Sequence, residues 1–410
     1  MIVCSLSRVA GLGALGLSEP ADRVRLVHLR YRFRVYPTVP QRSALARTFG
    51  CVRTVFNDAV AARKAAHREG LAYPSTAVLD KLLITEAKRT PERAWLAEVS
   101  TVPLQQALRD CHAAWRNFFD SVSGKRAGGR VGPPRFKRRS HTQAARYTRR
   151  GFSVKANGRL YVAKVGDLRV AWSRELSADP SSVTIIKTAT GKYYASFVVA
   201  VDDGADLLEP VADPDTETGI DLGLKAFAVL RGGKTIENPK FFAQMERRLK
   251  KAQRALSRKQ RGSANRVGAR LKVAKIHERI RNRRDDWLHK QVAALVGENQ
   301  ALYVEDLCVQ GLSRGRAAKS IQDAALGRFL TLLESKAARA GRTFAKVDRL
   351  FPSTRLCSAC GALTGPKGLE GLGVRVWECG CGAVHDRDGN AEINIRREGK
   401  RLVAAGLADT

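Results

Sequence analysis

The sequence predicts a multidomain chain: a β-barrel interrupted by a helical insertion, followed by an α/β sheet. Three observations carry that expectation. RLVHLRYRFRVYP (25–37) alternates basic with apolar or aromatic residues at period two, as a strand with one buried face does. Residues 38–123 then turn helical before strand signals return and run to Val201. Beyond an acidic, proline-containing linker, strands and helices alternate, the mark of an α/β sheet.

In chain order, residues 1–24 read as a disordered extension. The stretch is mildly apolar and glycine-rich but broken by Arg8, and an alternative start near Val24 or Val27 fits better than a signal peptide. Residues 25–37 supply the first barrel strand. In the helical insert, 38–123, Pro40 suits a first turn, and Leu45, Phe49, Val52 and Phe56 recur at three- and four-residue steps. Leu104, Leu108, Trp115 and Phe118 do the same, with breaks at Pro74 and Pro91. The rest of the barrel, with its connector and linker, spans 124–213. GRLYVAKV and DLRVAW read as strands, and Thr190-Gly191 as the turn of a hairpin. Asp202 and Asp203 read as solvated linker residues.

The second half begins with TGIDLGLKAFAVL, read as one buried strand, followed by charged helices at 239–260 and 264–298. QALYVEDLCV is a further strand, 326–340 a helix and GRTFAKVD a strand, which closes a core over 214–350. A cysteine-bearing insert, 351–385, and a final segment with a helix, 386–410, complete the chain.

Composition narrows the partner. Lys+Arg number 73 against 39 Asp+Glu, a formal charge of +34 spread along most of the length. That excess points to a polyanion, and to nucleic acid before membrane, since no apolar run approaches the ~18 to 20 residues of a bilayer span.

Four of the eight cysteines cluster: Cys357 and Cys360, then Cys379 and Cys381 after an eighteen-residue spacer. Such a cluster favours a metal over a disulfide framework, and four thiolates suit structural zinc. His385 replacing one cysteine, unbound thiols and an iron–sulfur cluster stay open as alternatives.

Three acids lie in comparable settings. Asp221 interrupts an apolar strand, Glu305 ends ALYVEDL and Asp388 precedes a helix in HDRDGN. Each alone reads as a strand-end or capping residue. Together in a basic protein they suit metal-assisted phosphodiester hydrolysis, because carboxylates are the hard oxygen ligands that Mg²⁺ prefers. Asp386 competes with Asp388 for the third position. For nucleic-acid contact the candidates are Arg135, Phe136, Lys137 and Arg138 in PPRFKRRS, Arg248, Lys251, Arg254 and Arg258 in MERRLKKAQRALSRKQR, and Arg281 and Arg284 in RIRNRRDDW.

The run GIDLG…YVEDL…CSACG…CGCG…HDRDGNAEINI resembles the split RuvC-type nuclease core of the TnpB family, relatives of compact type V CRISPR nucleases. YRFRVYPTVPQRSALARTFGCVRTVFNDAV, PRFK, KYYASFVV and HERIRNRRDDWLHK fit the same family, so the resemblance covers nearly the whole chain. It implies an RNase H-like (RuvC) core with an inserted zinc ribbon, and a β-barrel wedge domain with a helical insertion. It also implies two Mg²⁺ on Asp221, Glu305 and Asp388, structural Zn²⁺ on Cys357, Cys360, Cys379 and Cys381, and Asp388 in preference to Asp386. The function implied is RNA-guided DNA cleavage next to a short flanking motif, with a guide RNA from the transposon end, target DNA and no membrane. One protein copy per RNA is expected, with a dimer left open, in a prokaryotic cytoplasm and on the nucleoid when DNA-bound. The alternatives are a catalytically weak RNA-guided binding or regulatory protein and an accessory transposition factor. The third motif departs from the usual Asn-Ala-Ala in having Glu392, and Gly389 is expected to loosen the helix start.

Overall fold

The computed structural model describes residues 26–140, 142–202, 211, 213, 215–315, 317–368 and 370–407. The expected extension at 1–24, Asp203 and most of the acidic linker lie outside them. The chain divides into two compact units, Met1–Asp202 and Asp203–Thr410.

In the first unit, β1 (Leu26–Tyr36) buries Leu29, Tyr31, Phe33 and Val35 and turns the alternate residues outward. Then come α1 (Val39–Arg68), α2 (Thr76–Asp80, continued by a π turn at Lys81–Glu86) and α3 (Thr101–Val122). Pro40 lies in the first turn of α1, where a missing N–H costs nothing, and the Gln41 side chain accepts the Thr38 N–H at 3.0 Å. After the helices come β2 (Gln143–Thr148), β3 (Phe152–Val154), β4 (Arg159–Val162), β5 (Gly166–Ala171), β6 (Pro180–Lys187) and β7 (Tyr193–Asp202). All seven strands form one antiparallel, barrel-like sheet in the order β2-β6-β7-β1-β5-β4-β3. β1 thus pairs with β7 and β5 across the helices that separate them in sequence. Gly191, at φ 77°, makes the turn between β6 and β7.

The second unit is built on a five-stranded sheet of order β10-β9-β8-β11-β12, formed by β8 (Glu217–Leu222), β9 (Ala226–Val229), β10 (Thr235–Glu237), β11 (Ala301–Glu305) and β12 (Thr343–Val347). β8, β11 and β12 run parallel, and β9 and β10 antiparallel to their neighbours. TGIDLGLKAFAVL is therefore a hairpin, not the single strand its apolar run suggests. A Cβ on Gly223 would lie 2.9 Å from the Ala226 carbonyl, so only glycine permits the reversal at that point. The turn leaves Asp221 near the end of β8.

Helices α4 (Phe241–Ser257) and α5 (Ala264–Glu298) follow. The buried Asp323 carboxylate accepts the Phe242 and Ala243 N–H groups at the start of α4, at 2.7 and 3.1 Å. Trp287 packs edge-on against Phe227 and Phe241, in the core. Short α6 (Val309–Leu312) and α7 (Ala318–Ala324) lead to α8 (Leu326–Arg339). A two-stranded ribbon, β13 (Val376–Glu378) and β14 (Val384–Asp386), precedes α9 (Arg387–Ala404), which packs on β8, β11 and β12. Among the described residues no helix is long and apolar enough to cross a membrane.

Candidate functional site

In the parallel pairing of β8 with β11, Ile220 lies opposite Val304. The next residues, Asp221 and Glu305, therefore stand side by side where the strands end, the edge at which open α/β sheets bind ligands. Asp388 comes from the first turn of α9. Burial, then the charges of Asp388 and Glu305, push the Asp221 carboxyl up to about 7, with Arg387 and Arg375 pulling it part of the way back. The Glu305 carboxyl is also raised, mainly by burial and then by Asp306. Asp221 thus feels the charge of both other acids predicted from separate segments.

Asp388 is paired with cations. Arg375 Nη1 lies 2.6 Å from its Oδ2, while Arg387 Nε and Nη2 lie 3.0 and 2.9 Å from its Oδ1. Asp221 and Asp388 line a pocket of about 270 Å³ with Lys225, Arg355, Lys367, Arg375 and Arg387; Glu305 is not among its lining residues. Two acids amid five cations put oxygen donors suited to a divalent cation and N–H donors suited to a phosphate in one pocket. Arg375 and Arg387 were not singled out from the sequence. The signal for Arg387 was its place between Asp386 and Asp388; Arg375 has no local signal, since it arrives through a hydrogen bond from Arg387 N to its carbonyl.

Asp386 is exposed and caps α9, accepting the Gly389 N–H at 2.8 Å. Gly389 does not loosen the helix start, because it is part of that cap. Asn394 does not face the acids. It joins Asn390 in donating to the Ser353 and Leu356 carbonyls, and Asn390 also accepts the Ser358 N–H at 2.9 Å. Both asparagines are buried, and they tie α9 to the loop that carries Cys357.

The sulfurs of Cys357, Cys360, Cys379 and Cys381 lie within 4.8 Å of one another. Cys357–Cys381 is 3.8 Å and Cys360–Cys379 3.6 Å, close to the ~3.8 Å edge of a tetrahedron with Zn–S of about 2.3 Å. The donor set therefore fits zinc. Gly361 and Gly382, at φ 79° and 85°, close the two turns that present the sulfurs. The Thr364 hydroxyl, 3.1 Å from Cys379 Sγ, leads the interactions that lower that thiol to about 6, toward the ligating thiolate. His385 Nε2 reaches Cys357 Sγ at 3.0 Å, beside the four sulfurs.

The basic candidates divide. Arg135, Phe136 and Arg138 are exposed, but Lys137 turns inward. Asn57 pins its backbone N–H and carbonyl at 2.7 and 3.1 Å, and its ammonium rests 3.8 Å over the Phe56 ring. Arg248, Lys251 and Arg254 are exposed on α4 and Arg258 just past its end, and the last three share a groove with Arg247 and Lys250. Arg281 is exposed, whereas Arg284 is half-buried and donates to the Gln322 carbonyl at 3.0 Å. Lys137 and Arg284 are therefore packing residues, placed by an aromatic ring and a carbonyl.

Residues 196–316 match the OrfB family of IS605 elements, described as "Probable transposase"; 327–395 match the Cas12f1-like TNB domain, and 27–71 a helix-turn-helix domain of the same OrfB group. In this chain 27–71 hold β1 and the single long helix α1. A Streptomyces pristinaespiralis protein named "Putative RNA-guided DNA endonuclease" is 42% identical over 386 residues, 92% of this chain and 89% of that one. InsQ of Escherichia coli K12, given the same description, is 30% identical over 70% of this chain and 68% of its own. A cryo-EM structure of a Cas12f1–sgRNA–target DNA complex matches with a TM-score of 0.55 at 15% identity, over 87% of this chain and 83% of that one, which is a likeness of fold. With relatives this similar over this much of its length, the chain belongs to the TnpB (OrfB) family of transposon-encoded proteins.

Proposed function

We propose that the protein is a transposon-encoded, RNA-guided DNA endonuclease that hydrolyses phosphodiesters with Asp221, Glu305 and Asp388 as its metal ligands. The observation that carries this reading is Asp221, buried at a strand end and raised in part by the charges of Asp388 and Glu305, beside a cation-lined pocket that Asp388 shares. Acids held this close repel one another, and divalent cations relieve that repulsion. Two Mg²⁺ ions would neutralise the scissile phosphate and stabilise the attacking and leaving oxygens. The chain's own residues do the rest. Lys225, Arg355 and Lys367 line the pocket where a phosphate would lie, and Arg375 and Arg387 hold Asp388 until cations take their place. The sheet order and the packing of α9 on β8 and β11 support the reading of an RNase H-like (RuvC) core.

Cys357, Cys360, Cys379 and Cys381 would hold a structural Zn²⁺, fixing the ribbon that leads into α9. The barrel-like sheet with its helical insert is the wedge domain of this reading. It and the α4 groove, with Arg135, Phe136, Arg138 and Arg281, offer basic surface for a guide RNA from the transposon end and for target DNA. Guide pairing would read the sequence while these cations hold the backbone. Such a protein acts in the cytoplasm, as one copy per RNA.

The test is cleavage by protein purified with its co-expressed RNA, on plasmids carrying a guide-matched site beside randomised flanks. Mg²⁺-dependent cutting next to one flanking motif is expected. Guide-matched binding without cutting would leave a binding or regulatory protein instead, and cutting that persists without RNA would refute guidance.

A further inference from the structure

Helix α9 meets β8 in a regular register. Asp388 lines the same pocket as Asp221, Glu392 contacts Gly219 and Arg396 contacts Glu217. Each step of four residues along the helix is two residues back along the strand. The lengths match, since a four-residue helical step rises about 6 Å and two strand residues span about 6.6 Å.

The contacts differ in sign along the series. Asp388 and Asp221 are like charges. Glu392 Oε1 accepts the Gly219 N–H at 2.9 Å in a buried setting. That N–H is free because β8 pairs with β9 only at Asp221 and Leu222, two residues further on. Arg396 bridges the next step, its Nε 3.2 Å from Glu392 Oε1 and its Nη1 3.3 Å from Glu217 Oε1. Gly219 itself allows the approach: a Cβ there would lie 2.3 Å from the Glu392 carbonyl oxygen.

We propose that Glu392, together with the Arg396–Glu217 pair, is a positioning residue of the nuclease site: it clamps α9 to β8 so that Asp388 meets Asp221 before any cation arrives. The inference rests on the reading of Asp221 and Asp388 as metal ligands. Glu392 is almost wholly buried, and the hydrogen bond and ion pair it makes are directed away from that pair. Its effect is to supply the attraction that the carboxylate pair lacks.

The test compares Glu392→Ala, Glu392→Gln and wild type, each assembled with guide RNA, by Mn²⁺ binding in electron paramagnetic resonance and by Mg²⁺ titration of guide-matched cleavage. Glu392→Ala is expected to weaken Mn²⁺ binding and raise the Mg²⁺ midpoint about tenfold, as loss of an outer partner of a metal ligand does. Glu392→Gln, whose amide oxygen still accepts the Gly219 N–H, should stay within about threefold of wild type. Wild-type Mn²⁺ affinity in Glu392→Ala, or equal damage in both variants, overturns the proposal. Should Glu392→Ala fail to fold, Arg396→Met keeps the Gly219 bond and should shift both readings in the same direction; no shift overturns it equally. Asp221→Asn and Asp388→Asn separate the two levels. If Mn²⁺ binding survives them, the ligand reading falls; if it is lost in them while Glu392→Ala binds normally, only the clamp falls.

Discussion

Arg375 Nη1 lies 2.6 Å from Asp388 Oδ2, so a residue beside the cysteine ribbon holds the carboxylate that α9 brings to Asp221. This ion pair competes with any cation for the same oxygen. Both side chains are partly exposed, which limits the pair to about 0.5–1 kcal/mol, a two- to fivefold effect on competing binding. Arg375→Ala should therefore lower the Mg²⁺ concentration for half-maximal cleavage by about two- to fivefold, whatever happens to the maximal rate. A raised midpoint would contradict the competition.

Asp221 makes stability depend on pH. Its carboxyl is held near 7 in the fold against an ordinary value near 3.8, so the folded state binds the extra proton between those limits. Stability without divalent cations should then fall as pH rises from about 4 to 7 and level off above. Asp221→Asn removes the penalty. In thermal melts without added divalent cations, the variant should melt about 3 °C or more above wild type at pH 8, and close to it at pH 4. Equal melting at both pH values would show that burial and the neighbouring acids do not hold this carboxyl up.

Asn390 connects the cysteine loop to α9 through the Leu356 carbonyl at 2.8 Å and the Ser358 N–H at 2.9 Å. Asn390→Ala leaves the buried Ser358 N–H unpaired, at a cost of about 1–3 kcal/mol, while Asn394 still donates to the Leu356 carbonyl. The expected result is faster zinc loss to a chelator, read by a colorimetric indicator, together with a lower melting temperature. Wild-type zinc release would mean that the loop holds its metal without help from the helix.

Lys137 and Arg138 are neighbours with different environments. Arg138 is exposed, while Lys137 lies over Phe56 and burial lowers its ammonium. Arg138→Ala should reduce the salt dependence of RNA binding by about one counterion, and Lys137→Ala should reduce thermal stability with the salt slope unchanged. The opposite assignment in filter-binding titrations would show that the loop rearranges on RNA.

Much of this organisation was legible in the sequence because it is local. The alternation in β1, the cysteine spacing and the capping residues before α9 each follow from a few adjacent residues. What escaped depends on residues distant in sequence. The reversal at Gly223 turns on one carbonyl contact that an apolar run does not announce. Arg375 reaches Asp388 only because β13 pairs with β14. Asn394 shares a face of α9 with Asn390, as residues four apart on a helix do, but that face meets the Ser353–Leu356 loop, which only the tertiary fold brings there. Glu392 reads as an ordinary helix acid until Gly219 is placed beneath it.

The most direct measurement is guide-matched plasmid cleavage by the RNA-assembled protein with Asp221→Asn, Glu305→Gln and Asp388→Asn, alongside binding of the same DNA. Each substitution should reduce Mg²⁺-dependent cleavage by at least about a hundredfold, roughly 3 kcal/mol of barrier, while target binding remains within about threefold of wild type. Undiminished cutting in any of the three would contradict the assignment of that carboxylate, and undiminished cutting in all would place the chemistry elsewhere in the chain.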